Sequence, residues 1–143
     1  MTTASTETAG RVLWTMRILS AIALLAAGAI HLFLVFNGVG GILGVMFVLN
    51  ALAALVLAIA ILVLRGRLLQ LATVLSLLFL IATLLSLILA LTVGLFGITE
   101  TWDFMLVPET VIVESIGIVI LAITTVLVFR RAPAMAPTRR QGV

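Results

Sequence analysis

Long apolar runs separated by short polar or glycine-rich breaks divide the chain into four segments. A helix that crosses the hydrocarbon core of a bilayer needs about 20 predominantly apolar residues. Four runs reach that length: Val12 to Phe36, Ile42 to Leu64, Leu68 to Phe96 and Pro108 to Phe129. The first is interrupted only by Arg17, close enough to its start for the guanidinium to snorkel to the interface. Asn37-Gly-Val-Gly-Gly41 is short and turn-rich, which predicts a tight antiparallel hairpin of helices 1 and 2. Arg65-Gly-Arg67 joins helices 2 and 3. The longest connection runs from Ile98 to Val107, with Gly94 and Gly97 ending helix 3 and Pro108 suited to the first turn of helix 4. Connections of these lengths predict an all-α integral membrane fold, an antiparallel four-helix bundle in up-down-up-down order. Residues 1–11 and 130–143, polar or rich in Pro, Ala and Arg, are expected to be mobile cytoplasmic tails flanking a transmembrane domain over 12–129. Ala27-Gly28-Ala29 resembles a signal-peptide cleavage site, but the apolar run continues through Phe36, so a spanning helix is the expectation.

Composition makes a soluble fold untenable. Of 143 residues, 64% are hydrophobic and only 9% are charged, whereas a soluble domain is about 25% charged because its core must be clothed in solvated side chains. The cysteine count is zero, which excludes a disulfide scaffold, a thiol redox enzyme and a Cys-ligated metal or cluster. A single histidine excludes a multi-His metal centre or a bis-histidine haem within one chain.

Charge predicts orientation. All eight basic residues are arginines: Arg11 and Arg17 before or early in helix 1, Arg65 and Arg67 between helices 2 and 3, and Arg130, Arg131, Arg139 and Arg140 after helix 4. They fall on one side, and cytoplasmic flanks carry the basic excess. Both termini are therefore expected in the cytoplasm of a multi-pass plasma-membrane protein. The connection holding Glu100, Asp103 and Glu109 then faces outward, and Trp14 and Trp102 sit near opposite interfaces, where indole is favoured.

Lipid gives no hydrophobic push between helices, so contact faces are sought in small residues and in polar side chains that need partners. Helix 3 carries Ala82, Ser86, Ala90 and Gly94 at four-residue spacing. Helix 2 carries Gly40 and Gly44, then Asn50, Ala54 and Ala58. Helix 1 offers Ser20, Ala23, Ala27 and His31, and helix 4 offers Glu114, Gly117, Leu121 and Thr125. These faces are expected to meet inside the bundle, leaving Leu75, Leu78, Leu85 and Leu89 of helix 3 to lipid or another protein.

The rise of 1.5 Å per residue places His31 and Glu114 in one layer, each about 8–9 Å below the outer boundary, with Asn50 and Ser86 roughly 15 Å deep. A carboxyl group inside a span costs about 2.5–3.5 kcal/mol on insertion scales, which makes Glu114 the first candidate for a functional residue. Its bland alternative is a neutral or paired group that ties helix 4 to helix 1 through His31. For Asn50 and Ser86 the ordinary reading is interhelical glue, and for Glu100, Asp103 and Glu109 it is a solvated loop. No metal-ligand spacing such as HxxxH or ExxH is present.

Ala27-Gly-Ala-Ile-His-Leu32, Gly44-Val-Met-Phe-Val-Leu-Asn-Ala51, Ser86 with Val93-Gly-Leu-Phe-Gly-Ile98 and Glu100, and Glu114 together resemble small four-span membrane proteins of actinobacteria. The resemblance implies an actinobacterial plasma membrane and includes His31, Asn50 and Glu114 in its pattern, without implying an activity. The leading expectation is a non-enzymatic accessory subunit or self-associating bundle, in a homo-oligomer or larger complex, with no nucleic acid among its partners. Alternatives are proton-coupled transport of a small solute or ion through an outward layer of His31, Asn50, Ser86 and Glu114, or binding of a quinone or lipid-like cofactor there. No other cofactor is expected.

Overall fold

The computed structural model describes residues 2–95 and 97–131. Four helices follow one another: α1 (Thr2–Phe36), α2 (Gly41–Val63), α3 (Gly66–Thr92) and α4 (Val107–Arg130). Each contains a stretch long and apolar enough to cross a membrane, Glu7–Phe36 in α1 and the whole of the other three. The fold is the all-α four-helix bundle read from the sequence.

Several boundaries differ from the expected ones. α1 begins at Thr2, so residues 2–11, expected as a tail, are helical. A helix once nucleated gains one hydrogen bond per added residue, which carries it through Gly10 and the weak helix formers Thr2, Thr3, Ser5, Thr6 and Thr8. α3 stops at Thr92 rather than at residue 96. Val93 N and Gly94 N both donate to the Leu89 carbonyl, and Gly94 takes φ +84°, a left-handed value that closes a helix end and that only glycine adopts without strain. Leu95 and Ile98 then exchange backbone hydrogen bonds in a tight turn, and Glu100 N returns to the Ala90 carbonyl at 3.0 Å. The connection is thereby folded back onto the last turn of α3. Residues 132–143, including Arg139 and Arg140, lie outside the described residues.

α1 packs along α2 and α4, and α4 also packs along α3; the α2–α3 contact is the slightest of the four. The expected small-residue face of α1 is buried throughout: Ser20, Ala23, Ala27 and His31, joined by Leu24 and Leu34. On α4 the buried line is Thr110, Glu114, Gly117, Leu121, Thr124 and Val128. It departs from the expected seam at one position, Thr124 in place of Thr125. The Thr124 hydroxyl donates to the Ile120 carbonyl at 2.8 Å, so the 2.8 Å contact with Ser20 is Ser20 donating to Thr124 Oγ1. Glycine sets the closest approaches. A Cβ on Gly28 would stand 3.0 Å from the Ala54 Cβ, and one on Gly117 would stand 2.6 Å from a Leu80 methyl.

Arg17 does more than reach the interface. Its Nε donates to the Ile61 carbonyl at 2.7 Å, and one terminal nitrogen donates to the carbonyls of Leu62 and Leu64, each at 2.9 Å. The last carbonyls of a helix have no partner within it, and a cation there also meets the negative end of the helix dipole. Arg17 of α1 thus caps α2 from outside, with its guanidinium 5.1 Å from the centre of the Trp14 ring. This end of the bundle, which also holds Arg65, Arg67, Arg130 and Arg131, is filled by Leu24, Ile61, Leu80 and Leu121, each wholly buried.

A candidate ligand cavity between α2 and α3

The opposite end, beneath the acidic connection, is hollow. A cavity of about 270 Å³ is bounded by His31 and Leu34 of α1, by Met46, Phe47 and Asn50 of α2, by residues of α3 from Phe79 to Ala90, and by Val107, Thr110 and Glu114 of α4. Leu95, Ile98, Glu100, Phe104 and Met105 of the folded-back connection form its roof. The wall residues of α1 and α4 are all buried, none with more than a twelfth of its surface exposed, whereas Met46, Ala82, Ser86 and Met105 are exposed. The mouth therefore lies between α2 and α3, where helix packing is slightest, and α1 and α4 form the floor.

The small-residue stripe of α3 is part of this opening. Ala82, Ser86 and Ala90 line the cavity, Ala82 and Ser86 exposed and Ala90 buried, and the other residues α3 buries lie nearer its start: Leu69, Ala72, Thr73, Ser76 and Leu80. Small side chains permit a close helix approach, but where the partner helix diverges they leave space. Ser86 donates to the Ala82 carbonyl at 2.8 Å, within its own helix, and the Asn50 Oδ1 is buried without a hydrogen bond. Neither is the interhelical glue expected of it. That role falls to Ser20 and Thr124 in the packed half, and the regular four-residue spacing of the α3 stripe gave no hint of it.

His31 and Glu114 do share the cavity, as their depths predicted, yet they do not pair. His31 Nδ1 bonds the Ala27 carbonyl at 2.8 Å; a carbonyl only accepts, so Nδ1 carries the proton and Nε2 is the nitrogen left to the cavity. The ring stands edge-on to Phe47, with centroids 4.9 Å apart. Glu114 is 1% exposed, and neither of its carboxyl oxygens has a hydrogen bond. Thr83 stands beside it on α3 but directs its single proton to the Leu80 carbonyl at 3.0 Å. A buried carboxyl group without a partner is costly, since buried polar atoms are normally satisfied.

No known protein family, curated protein or solved structure matches the chain. Of the three loop acids, only Glu100 reaches the cavity, carried there by its backbone bond to Ala90; Asp103 and Glu109 are exposed away from it. Among the described residues no three His, Asp or Glu side chains gather as metal ligands would. What the arrangement offers is an apolar, sideways-opening chamber with a few polar atoms at its floor, the usual build of a small-molecule site.

Proposed function

We propose that this small membrane protein binds an amphipathic small molecule, admitted from the bilayer through the gap between α2 and α3. The observation that carries the reading is the Glu114 carboxyl, wholly buried at the floor of an open cavity with both oxygens lacking partners. A group that costly to bury is accounted for by a ligand that completes it. The basic excess at the opposite end supports cytoplasmic termini, so the cavity occupies the outer leaflet half. A passage inward would have to cross the packed layer of Leu24, Ile61, Leu80 and Leu121, which favours a binding protein, or one state of a carrier, over an open channel. Membership in a homo-oligomer or a larger complex is compatible with this reading and would use the aliphatic face of α3.

N-phenyl-1-naphthylamine, which brightens in apolar sites, tests the proposal in detergent-solubilised full-length protein. Binding should saturate at one site per chain above the micelle background. Ala82→Phe, which places a ring in the mouth without touching the packed half, should abolish it. Equal binding by this variant and the unaltered protein would sink the reading.

A further inference from the structure

Resting on that ligand-binding reading, we propose that the cavity selects a hydrogen-bond-donating organic cation, a protonated amine carried on an apolar ring system, with the Glu114 carboxyl as its counter-group. The polar side chains of the wall turn acceptors toward the space. His31 spends its Nδ1 proton on the Ala27 carbonyl, so in the neutral imidazole Nε2 presents a lone pair. Thr83, Ser86 and Thr110 give their hydroxyl protons to the carbonyls of Leu80, Ala82 and Leu106, at 3.0, 2.8 and 2.6 Å. They too turn only lone pairs toward the space. Glu114 contributes two unpartnered oxygens and Asn50 an unpartnered Oδ1, while Glu100 stands at the roof. Among the described lining side chains, the Asn50 amide keeps a free donor group, and the Glu114 carboxyl offers one only while it carries a proton.

Such a wall matches a donor and mismatches an acceptor. A quinone presents two carbonyl oxygens to a surface that already has acceptors in excess, whereas an ammonium group presents up to three N–H donors. Amine and carboxyl share one proton between them, and with that proton on either partner a hydrogen bond joins nitrogen to oxygen. Among the described residues no arginine lines the cavity to repel a cation. Three phenyl rings, Phe47, Phe79 and Phe104, do line it, and their faces attract positive charge. A bare metal ion fits poorly, because the carboxyl and imidazole groups are dispersed among apolar side chains rather than clustered. The volume sets the body of the ligand. An apolar cavity of about 150 Å³ accepts benzene, so about 270 Å³ suits a two-ring body with a short polar arm.

Four naphthalenes of nearly equal size separate the possibilities: 1-naphthylmethylamine, 1-naphthalenemethanol, 1-acetonaphthone and 1-methylnaphthalene. Each is titrated into the full-length protein in dodecylmaltoside micelles and followed by its own fluorescence, with uptake by empty micelles subtracted. The amine should bind at least tenfold more tightly than the ketone and than the alcohol. In Glu114→Gln its advantage over the alcohol should disappear. The ranking in the unaltered protein decides the matter even if that variant does not fold. A ketone or alcohol that binds as tightly as the amine overturns the cation proposal and leaves the cavity reading in place. If none of the four binds, both fall. The quaternary 1-naphthylmethyl-trimethylammonium ion keeps the charge and lacks N–H donors; binding equal to that of the primary amine overturns the role given to hydrogen-bond donation.

Discussion

Ser20 donates its hydroxyl proton to Thr124 Oγ1 at 2.8 Å, and this is the point where α1 and α4 are joined by polar side chains. Both residues are wholly buried, 104 positions apart in the chain. Interhelical hydrogen bonds of this kind couple by about 0.6 kcal/mol on average in membrane bundles. A double-mutant cycle with Ser20→Ala and Thr124→Val, read from unfolding in mixed SDS and dodecylmaltoside micelles, should return a coupling of that order. A coupling indistinguishable from zero would mean that packing alone holds the seam.

Arg17 is expected to matter more. Hydrogen bonds from a charged donor contribute about 1.5–3 kcal/mol each in favourable settings, and Arg17 makes three to the end of α2. Arg17→Lys retains the charge but not the fork that reaches Ile61, Leu62 and Leu64 together. It should destabilise the protein by an amount intermediate between zero and that of Arg17→Met. Identical unfolding curves for Arg17→Lys and the parent would show that charge at the interface, rather than the cap, is what counts.

Glu114 should behave in the opposite sense. Its carboxyl is buried without a hydrogen bond in the fold, so Glu114→Leu should raise the unfolding midpoint measured without added ligand while removing ligand binding. Sites built for function commonly carry such a stability cost. A lowered midpoint would point to a partner for Glu114 within the fold.

Two glycines give a sharp contrast. A Cβ at Gly44 would stand 2.6 Å from the Val39 carbonyl oxygen, a backbone atom that cannot rotate away, whereas Gly10 has nothing within 4 Å. Both lie in helices, where alanine is intrinsically better than glycine by about 0.5–1 kcal/mol. Gly10→Ala should therefore be neutral or stabilising. Gly44→Ala should be destabilising by about 1–3 kcal/mol less that gain. Thermal unfolding of the two variants side by side checks the difference in sign.

Leu106 is the non-glycine residue with a positive φ among those described, at 63°, immediately before α4. Left-handed backbone costs an ordinary side chain about 1–2 kcal/mol, and asparagine tolerates it better. Leu106→Asn should raise the unfolding midpoint by a few degrees at most, measured by circular dichroism in detergent. A fall would show that the Leu106 side chain stabilises its surroundings by more than its backbone strain costs.

The four spans and their order were legible because apolar length and punctuation encode them directly. So were the buried faces of α1 and α4, whose polar and small residues recur on one side. Less was legible wherever the partner is backbone. Nothing in the sequence marks the carbonyls of Ile61, Leu62 and Leu64 as waiting for Arg17, nor that of Ala27 as the acceptor for His31. Thr124 and Thr125 are adjacent and chemically identical, so only the rotation of α4 separates them. The α3 stripe was misleading for a different reason: Ala82 and Ser86 have the spacing of a packed seam yet are exposed at the cavity, and whether such residues bring helices together or leave room depends on how closely α2 packs there, a tertiary property. Glu114 and His31 both line the cavity, but depth along each helix could not say which atom each would bond.

The sideways mouth between α2 and α3 has a consequence for how affinity should be measured. A site that draws its ligand from the membrane responds to the amount dissolved in lipid rather than in water. A hydrophobic amine concentrates there by its partition coefficient, often by orders of magnitude, so modest intrinsic binding would appear tight when referred to the aqueous phase. Titrations should accordingly be expressed as mole fraction of ligand in lipid or detergent, the scale on which different compounds can be compared for fit alone.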